Sequence, residues 1–245
     1  FCTMFAALGE KAGADRLLIG RNLDWPAEES PVIVESRPDT GHRFAQVGFP
    51  WNTGVFTGMN DAGIAVMAEH VRALGEPTLT GPPVEFVLRQ VLQDASSYLA
   101  ALEFLRNQAH LRGYSVLLAG EEAGEFFCAV VEFGNRVTVR GPGEDGILLG
   151  TDPQGSEADS AAAARYGRLT ARLQGVGVLG VRDVQALLAD MAGPPEPLHR
   201  IWNDDTQHSV VFEPRRRRMY VAVRTPEGLP GAYQTISLMR GAAGE

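Results

Sequence analysis

Cysteine is nearly absent from this 245-residue chain. Only Cys2 and Cys128 are present, which excludes a disulfide scaffold. Cys128 lies in the apolar strand Phe126–Phe133 and reads as a packed core thiol. No apolar run approaches the roughly 20 residues that span a bilayer, so no membrane partner is expected. The opening residues lack both a basic region and a long apolar core, so they do not form a signal peptide. That favours a cytoplasmic location, with a leader upstream of the sequence left open. No group of His, Cys and carboxylate residues has metal-ligand spacing; His110, His199 and His208 are scattered. Neither a phosphate-binding glycine loop nor a dinucleotide fingerprint appears, so no cofactor and no metal is expected. Internal repeats and low-complexity tracts are also missing.

Positive charge is in short supply as well. Thirty acidic residues oppose 22 basic ones, and a net charge of −8 repels phosphate backbones, so no nucleic-acid partner is expected. The single basic run, Arg215–Arg218, sits between two strand-like segments and reads as a solvated hairpin tip.

What is present is an ordinary globular composition, 44% hydrophobic and 21% charged, long enough for one domain over residues 1–245 with a sizeable core. A homo-oligomer is compatible with it. Strands punctuated by turns fill roughly the first 80 residues. The first two are Cys2–Leu8 and a segment ending in Gly20-Arg21-Asn22-Leu23-Asp24-Trp25. Asn60-Asp61-Ala62-Gly63 is a tight turn. Pro82-Pro83 opens a helical stretch, with a break expected near Ser96-Ser97. Strands return after residue 113. Two more helical regions, near Ser160–Leu173 and Val181–Met191, precede a closing hairpin. Strands in runs, separated by helices, point to an α+β domain with helices covering sheets.

The chemistry is sought at Cys2. An N-terminal cysteine carries its own base, because its α-amine titrates near neutrality and can take the thiol proton. Hairpin-linked strands place Arg21 and Asp24 beside it. There a guanidinium favours thiolate and a carboxylate can orient an ammonium group. Against this stand two plainer readings: Cys2 as an ordinary strand residue, and Arg21 with Asp24 as a surface ion pair.

Six motifs in order resemble one superfamily. They are Cys2-Thr3; Gly20 to Trp25; Gly58-Met59-Asn60-Asp61-Ala62-Gly63-Ile64; the Pro83–Leu105 helix with its following strands; Ser160 to Leu173 with Arg165, Arg168 and Leu169; and Thr206 to Ala222. Together they are similar to the choloylglycine hydrolases and penicillin V acylases, and still more to the isopenicillin N acyltransferase branch. The resemblance covers nearly the whole chain. It implies an N-terminal-nucleophile (Ntn) hydrolase fold, a four-layer αββα sandwich. It implies hydrolysis of a linear amide through an acyl-thioester on Cys2, or acyl transfer from the same intermediate, acting on a small-molecule acyl-amide substrate. A non-catalytic binding descendant of the fold is the rival from another class.

Carried over by position, Cys2 matches the nucleophile, Arg21 and Asp24 its stabilising pair, and Thr151-Asp152 the oxyanion position. Trp25, Asn60 and His70 match the substrate-binding surroundings, His70 where the bile-salt enzymes carry asparagine. Two departures stand out. Asp152 replaces the family's asparagine, and an ionised carboxylate cannot donate to an oxyanion. Phe1 precedes Cys2, and while it is attached the Cys2 nitrogen is an amide and cannot act as base.

Overall fold

The computed structural model describes residues 2–15, 17–26, 30–78, 80–150, 160–193 and 196–239. Strand β1 (Thr3–Leu8) turns through a 3-10 segment into β2 (Leu17–Asp24). Four strands follow: β3 (Val32–Ser36), β4 (Phe44–Gly48), β5 (Thr57–Asn60) and β6 (Ala65–His70). Helices α1 (Val84–Asp94) and α2 (Tyr98–Arg106) lead to β7 (Tyr114–Glu122), β8 (Glu125–Phe133), β9 (Val137–Arg140) and β10 (Ile147–Leu149). Helices α3 (Ser160–Gly175) and α4 (Val181–Leu188) precede β11 (Thr206–Glu213), β12 (Arg218–Val223) and β13 (Gln234–Ser237).

The strands form two antiparallel sheets. The first has the order β10-β1-β2-β11-β12-β13, and the second runs β3 to β9 in sequence order. Three apolar layers hold the sandwich together. Between the sheets lie Met4, Ile19, Met67, Val130, Val210 and Phe212. Helices α1 and α2 pack Leu88, Leu92, Ala101 and Leu105 on the outer face of the second sheet. Helices α3 and α4 pack Leu173, Val184 and Leu188 on the outer face of the first. The result is the four-layer αββα arrangement. Its period-two alternation lets each strand feed two cores at once, which is why β2 is buried along its whole length.

Local sequence explains the joints that matter. Ser97, extended at φ −143°, accepts a hydrogen bond from Ala100 N at 3.4 Å and caps α2, so the expected helix break becomes the boundary between α1 and α2. Gly20 has no side chain because a Cβ there would lie 2.5 Å from the Phe5 ring, which crosses it from β1. That close approach fixes the register Phe5↔Gly20 and Met4↔Arg21.

The basic run is not simply a solvated tip. Arg217 adopts the left-handed conformation at φ 51°. Its guanidinium reaches onto the other sheet, with Nε donating to Asp61 O at 3.2 Å and Nη2 lying 3.4 Å from Glu121. Arg216 pairs at 3.0 Å with Glu213, a fully buried carboxylate. Four arginines in a row look uniform in sequence, but the turn sends them in different directions.

Candidate active site

Cys2 stands at the entrance to β1, where alternation turns its side chain into the space between the sheets beside Met4. On the adjacent strand, Arg21 is fully buried. Its Nη2 donates to Cys2 Sγ at 3.3 Å and its Nη1 to Met4 Sδ at 3.2 Å. An arginine buried this deeply is unusual, and its contact with a thiol marks the position.

Asp24, at the end of β2, is held from both sides. Its Oδ1 accepts from Thr206 Oγ1 at 2.7 Å and its Oδ2 from Asn203 Nδ2 at 2.9 Å. Burial pushes this carboxyl above its ordinary range; the Arg165 guanidinium and the two hydrogen bonds draw it back down. Arg165, on α3, is itself buried and donates to Leu198 O. The Cys2 thiol is also raised. Burial is the main cause, Arg21 opposes it, and the carboxylates of Glu69 and Asp24 reinforce it, Glu69 more strongly. A thiol at this site therefore needs a base to ionise it at neutral pH.

Cys2, Arg21, Leu23 and Asp24 open onto a cavity of about 650 Å³ between the sheets. One side is aromatic: Trp25, Phe49, Trp51 and Phe56, with the Phe49 and Trp51 rings stacked 5.3 Å apart. Another side is polar, with Glu69 and His70 of β6, Arg72 and Tyr114. The His70 ring stands edge-on to Tyr114 at 5.7 Å. Trp25 is 49% exposed at the mouth. Its backbone is fastened on both sides, the N–H to Asp205 O at 2.8 Å and the carbonyl to Gln207 Nε2 at 2.7 Å.

Five of the residues singled out by sequence thus converge: Cys2, Arg21, Asp24, Trp25 and His70 all line this cavity. Asn60 does not join them. It is fully buried, and its amide links a turn to a helix end. Nδ2 donates to Leu92 O and Ala95 O at 3.0 and 2.8 Å, while Oδ1 accepts from the N–H groups of Ala62 and Ile64. Every hydrogen-bonding position of that amide is engaged within the fold, so Asn60 supports structure instead of contacting a substrate. Phe1, Thr151 and Asp152 lie outside the described residues.

Residue reading missed three side chains here: Glu69, Arg165 as a neighbour of Asp24, and His208. A carboxylate directly after the apolar run Ile64–Ala68 was the available signal for Glu69. Among the described residues, no group of three or more His, Cys, Asp or Glu could hold a metal. No helix among them is long and apolar enough to cross a membrane.

Known proteins share this αββα sandwich. Residues 11–149 match the family acyl-coenzyme A:6-aminopenicillanic acid acyl-transferase, and the chain belongs to that family. Its fold is shared with the N-acylethanolamine-hydrolyzing acid amidase (NAAA) ortholog of Caenorhabditis elegans. That structure has a TM-score of 0.68 at 18% identity, covering 87% of this chain and 93% of that one. A mutant conjugated bile acid hydrolase from Clostridium perfringens matches with a TM-score of 0.64 at 15% identity, over 96% of this chain and 92% of that one. Penicillin V acylase from Agrobacterium tumefaciens matches with 0.58 at 14%, over 92% and 84%. An uncharacterized protein of Archaeoglobus fulgidus is 32% identical over 109 residues. That match takes in 43% of this chain, and it spans only 18% of the relative's length. The chain is a member of the Ntn-hydrolase-type amidase and acyltransferase superfamily.

Proposed function

We propose that the chain hydrolyses a linear, non-peptide amide with Cys2 as nucleophile, once the residue before Cys2 is removed. The observation that carries this reading is the 3.3 Å contact between Arg21 Nη2 and Cys2 Sγ at the wall of a 650 Å³ cavity.

Removal of the preceding residue frees the Cys2 α-amine, which takes the thiol proton directly or through one water. Arg21 holds the thiolate against the desolvation that otherwise raises its pKa. The thiolate attacks the amide carbon, and the carbonyl electrons move to oxygen. Collapse expels the amine, which takes its proton from the Cys2 ammonium and leaves a thioester. Water then gives a proton to the α-amine, attacks the thioester and releases a carboxylic acid with the restored thiol. A second amine in place of water turns the same intermediate to acyl transfer, the reaction in the family's name. Trp25, Phe49, Trp51 and Phe56 form a wall suited to an aryl or alkyl acyl group, and the Glu69, His70 and Tyr114 side suits a polar amine. Thr151 and Asp152 are assigned to the oxyanion position, where Asp152 donates only when protonated.

Cys2→Ala is expected to abolish turnover of an acyl amide and labelling by a thiol-reactive acyl probe, with the circular-dichroism spectrum unchanged. Cys128→Ala is expected to keep both activities, since burial holds that thiol at about 12 and it lies outside the cavity. Full amide turnover by Cys2→Ala would remove the nucleophile assignment.

A further inference from the structure

Arg21 leans toward β1, and its opposite flank is bordered by β11. Register places Val210 directly across from Arg21 and His208 across from Leu23. Residues of β11 two apart share a face, and Val210 and Phe212 belong to the core between the sheets. His208 therefore occupies the same layer as Arg21, diagonally across an antiparallel pair, within reach of a long side chain. Both side chains are fully buried. Arg21 Nη1 and Nη2 are engaged by Met4 and Cys2. Arg21 Nε and both ring nitrogens of His208 are buried without a hydrogen-bond partner among the described residues. A guanidinium donor and an imidazole, both unpaired and buried in the same layer, call for a common explanation.

The electrostatics agree. Burial, and then the Arg21 guanidinium, hold His208 at about 3, so the ring is neutral at any working pH. Its strand neighbours, Leu23 on β2 and Val223 on β12, are apolar. A neutral imidazole keeps a lone pair on one ring nitrogen. A protonated one would instead repel the guanidinium.

We infer that His208 is a positioning residue: its neutral imidazole is linked to Arg21 Nε through one buried water, and so holds the guanidinium on Cys2 Sγ. The inference rests on the reading of Cys2 as nucleophile, but its test uses thiol alkylation, not turnover. Failure of one is therefore distinguishable from failure of the other.

The rate of Cys2 alkylation by iodoacetamide, followed by mass spectrometry on the Cys2 peptide, is measured against pH. The charged groups facing Cys2 are Arg21, the chain's amino terminus, Glu69 and Asp24, and all four remain in every variant. His208→Leu removes the acceptor and is expected to move the profile toward alkaline pH by about one unit, as loss of a close cation does. His208→Gln keeps an acceptor and is expected to restore most of that shift. A His208→Leu profile superimposed on wild type, or equal shifts in both variants, would overturn the assignment. A second measurement needs no variant. In wild-type protein the Arg21 Nε–H should exchange with solvent at least 100-fold more slowly than that of an exposed arginine such as Arg37, a conservative bound for a donor engaged in a buried bond. Exchange at the exposed rate would overturn the inference even if His208→Leu failed to fold.

Discussion

At the scale of single residues, this site is an exercise in charge held where water is scarce. Arg21 is the largest favourable influence on a thiol that burial, Glu69 and Asp24 all push upward. Replacing Arg21 with Met is expected to raise the Cys2 thiol pKa by about one to three units, read from the pH dependence of alkylation. Arg21→Lys should recover only part of it, because a compact ammonium lacks the planar fork whose two nitrogens reach Met4 Sδ and Cys2 Sγ. His208 makes a separate prediction about stability. Its folded pKa, about 3, lies below the ordinary 6.5, so the unfolded chain binds the extra proton first. Stability from this group is complete above 6.5 and is lost as pH falls toward 3. Between pH 6 and 4.5 the wild type should therefore lose about 1.4 kcal/mol per pH unit more than His208→Gln does, measured by urea unfolding. Asp24 titrates with the opposite sign, its folded pKa being raised, but it is common to both proteins and cancels in the difference.

At the scale of elements, what could be read ahead was whatever depends on neighbours in sequence. The apolar run of the opening residues gives β1, the Ser96-Ser97 break gives the joint between α1 and α2, and the motif ending in Trp25 gives the strand that carries Arg21 and Asp24. What could not be read depends on contacts that cross the fold. Nothing in the sequence places β10 beside β1, although Phe5 pairs with Leu149. The short strand β13 has too little pattern to stand out. Asn60 is the instructive case. Its position in the turn was plain, yet two of its four hydrogen bonds reach across to the end of α1, and a turn motif cannot reveal that. Asn60→Ala would leave the carbonyls of Leu92 and Ala95 and the N–H groups of Ala62 and Ile64 without this partner. The expected loss is about 3 kcal/mol in chemical denaturation, with the Cys2 alkylation profile unchanged. A shifted profile at unchanged stability would return Asn60 to the substrate's surroundings.

At the scale of the whole molecule, the two ends of the sandwich are built differently. The cavity lies at one end, lined by Cys2, Arg21 and Asp24 from the first sheet and by Ala68, Glu69 and Tyr114 from the second. At the opposite end the sheets are tied by Arg217 to Asp61 and Glu121, and by Arg43 to Leu238 O at 2.8 Å. Such a molecule resembles a book with a sewn spine: its leaves part most easily at the edge where the reader's thumb goes in. Amides of strands β4 and β6 should accordingly exchange hydrogen faster toward Gly48 and His70 than toward Phe44 and Ala65. Cutting a stitch with Arg217→Met should even out that gradient while Cys2 keeps its alkylation profile. If the proposed function holds, Arg217→Met should also let bulkier acyl groups reach Cys2, an outcome read from relative turnover across a series of acyl amides of increasing size.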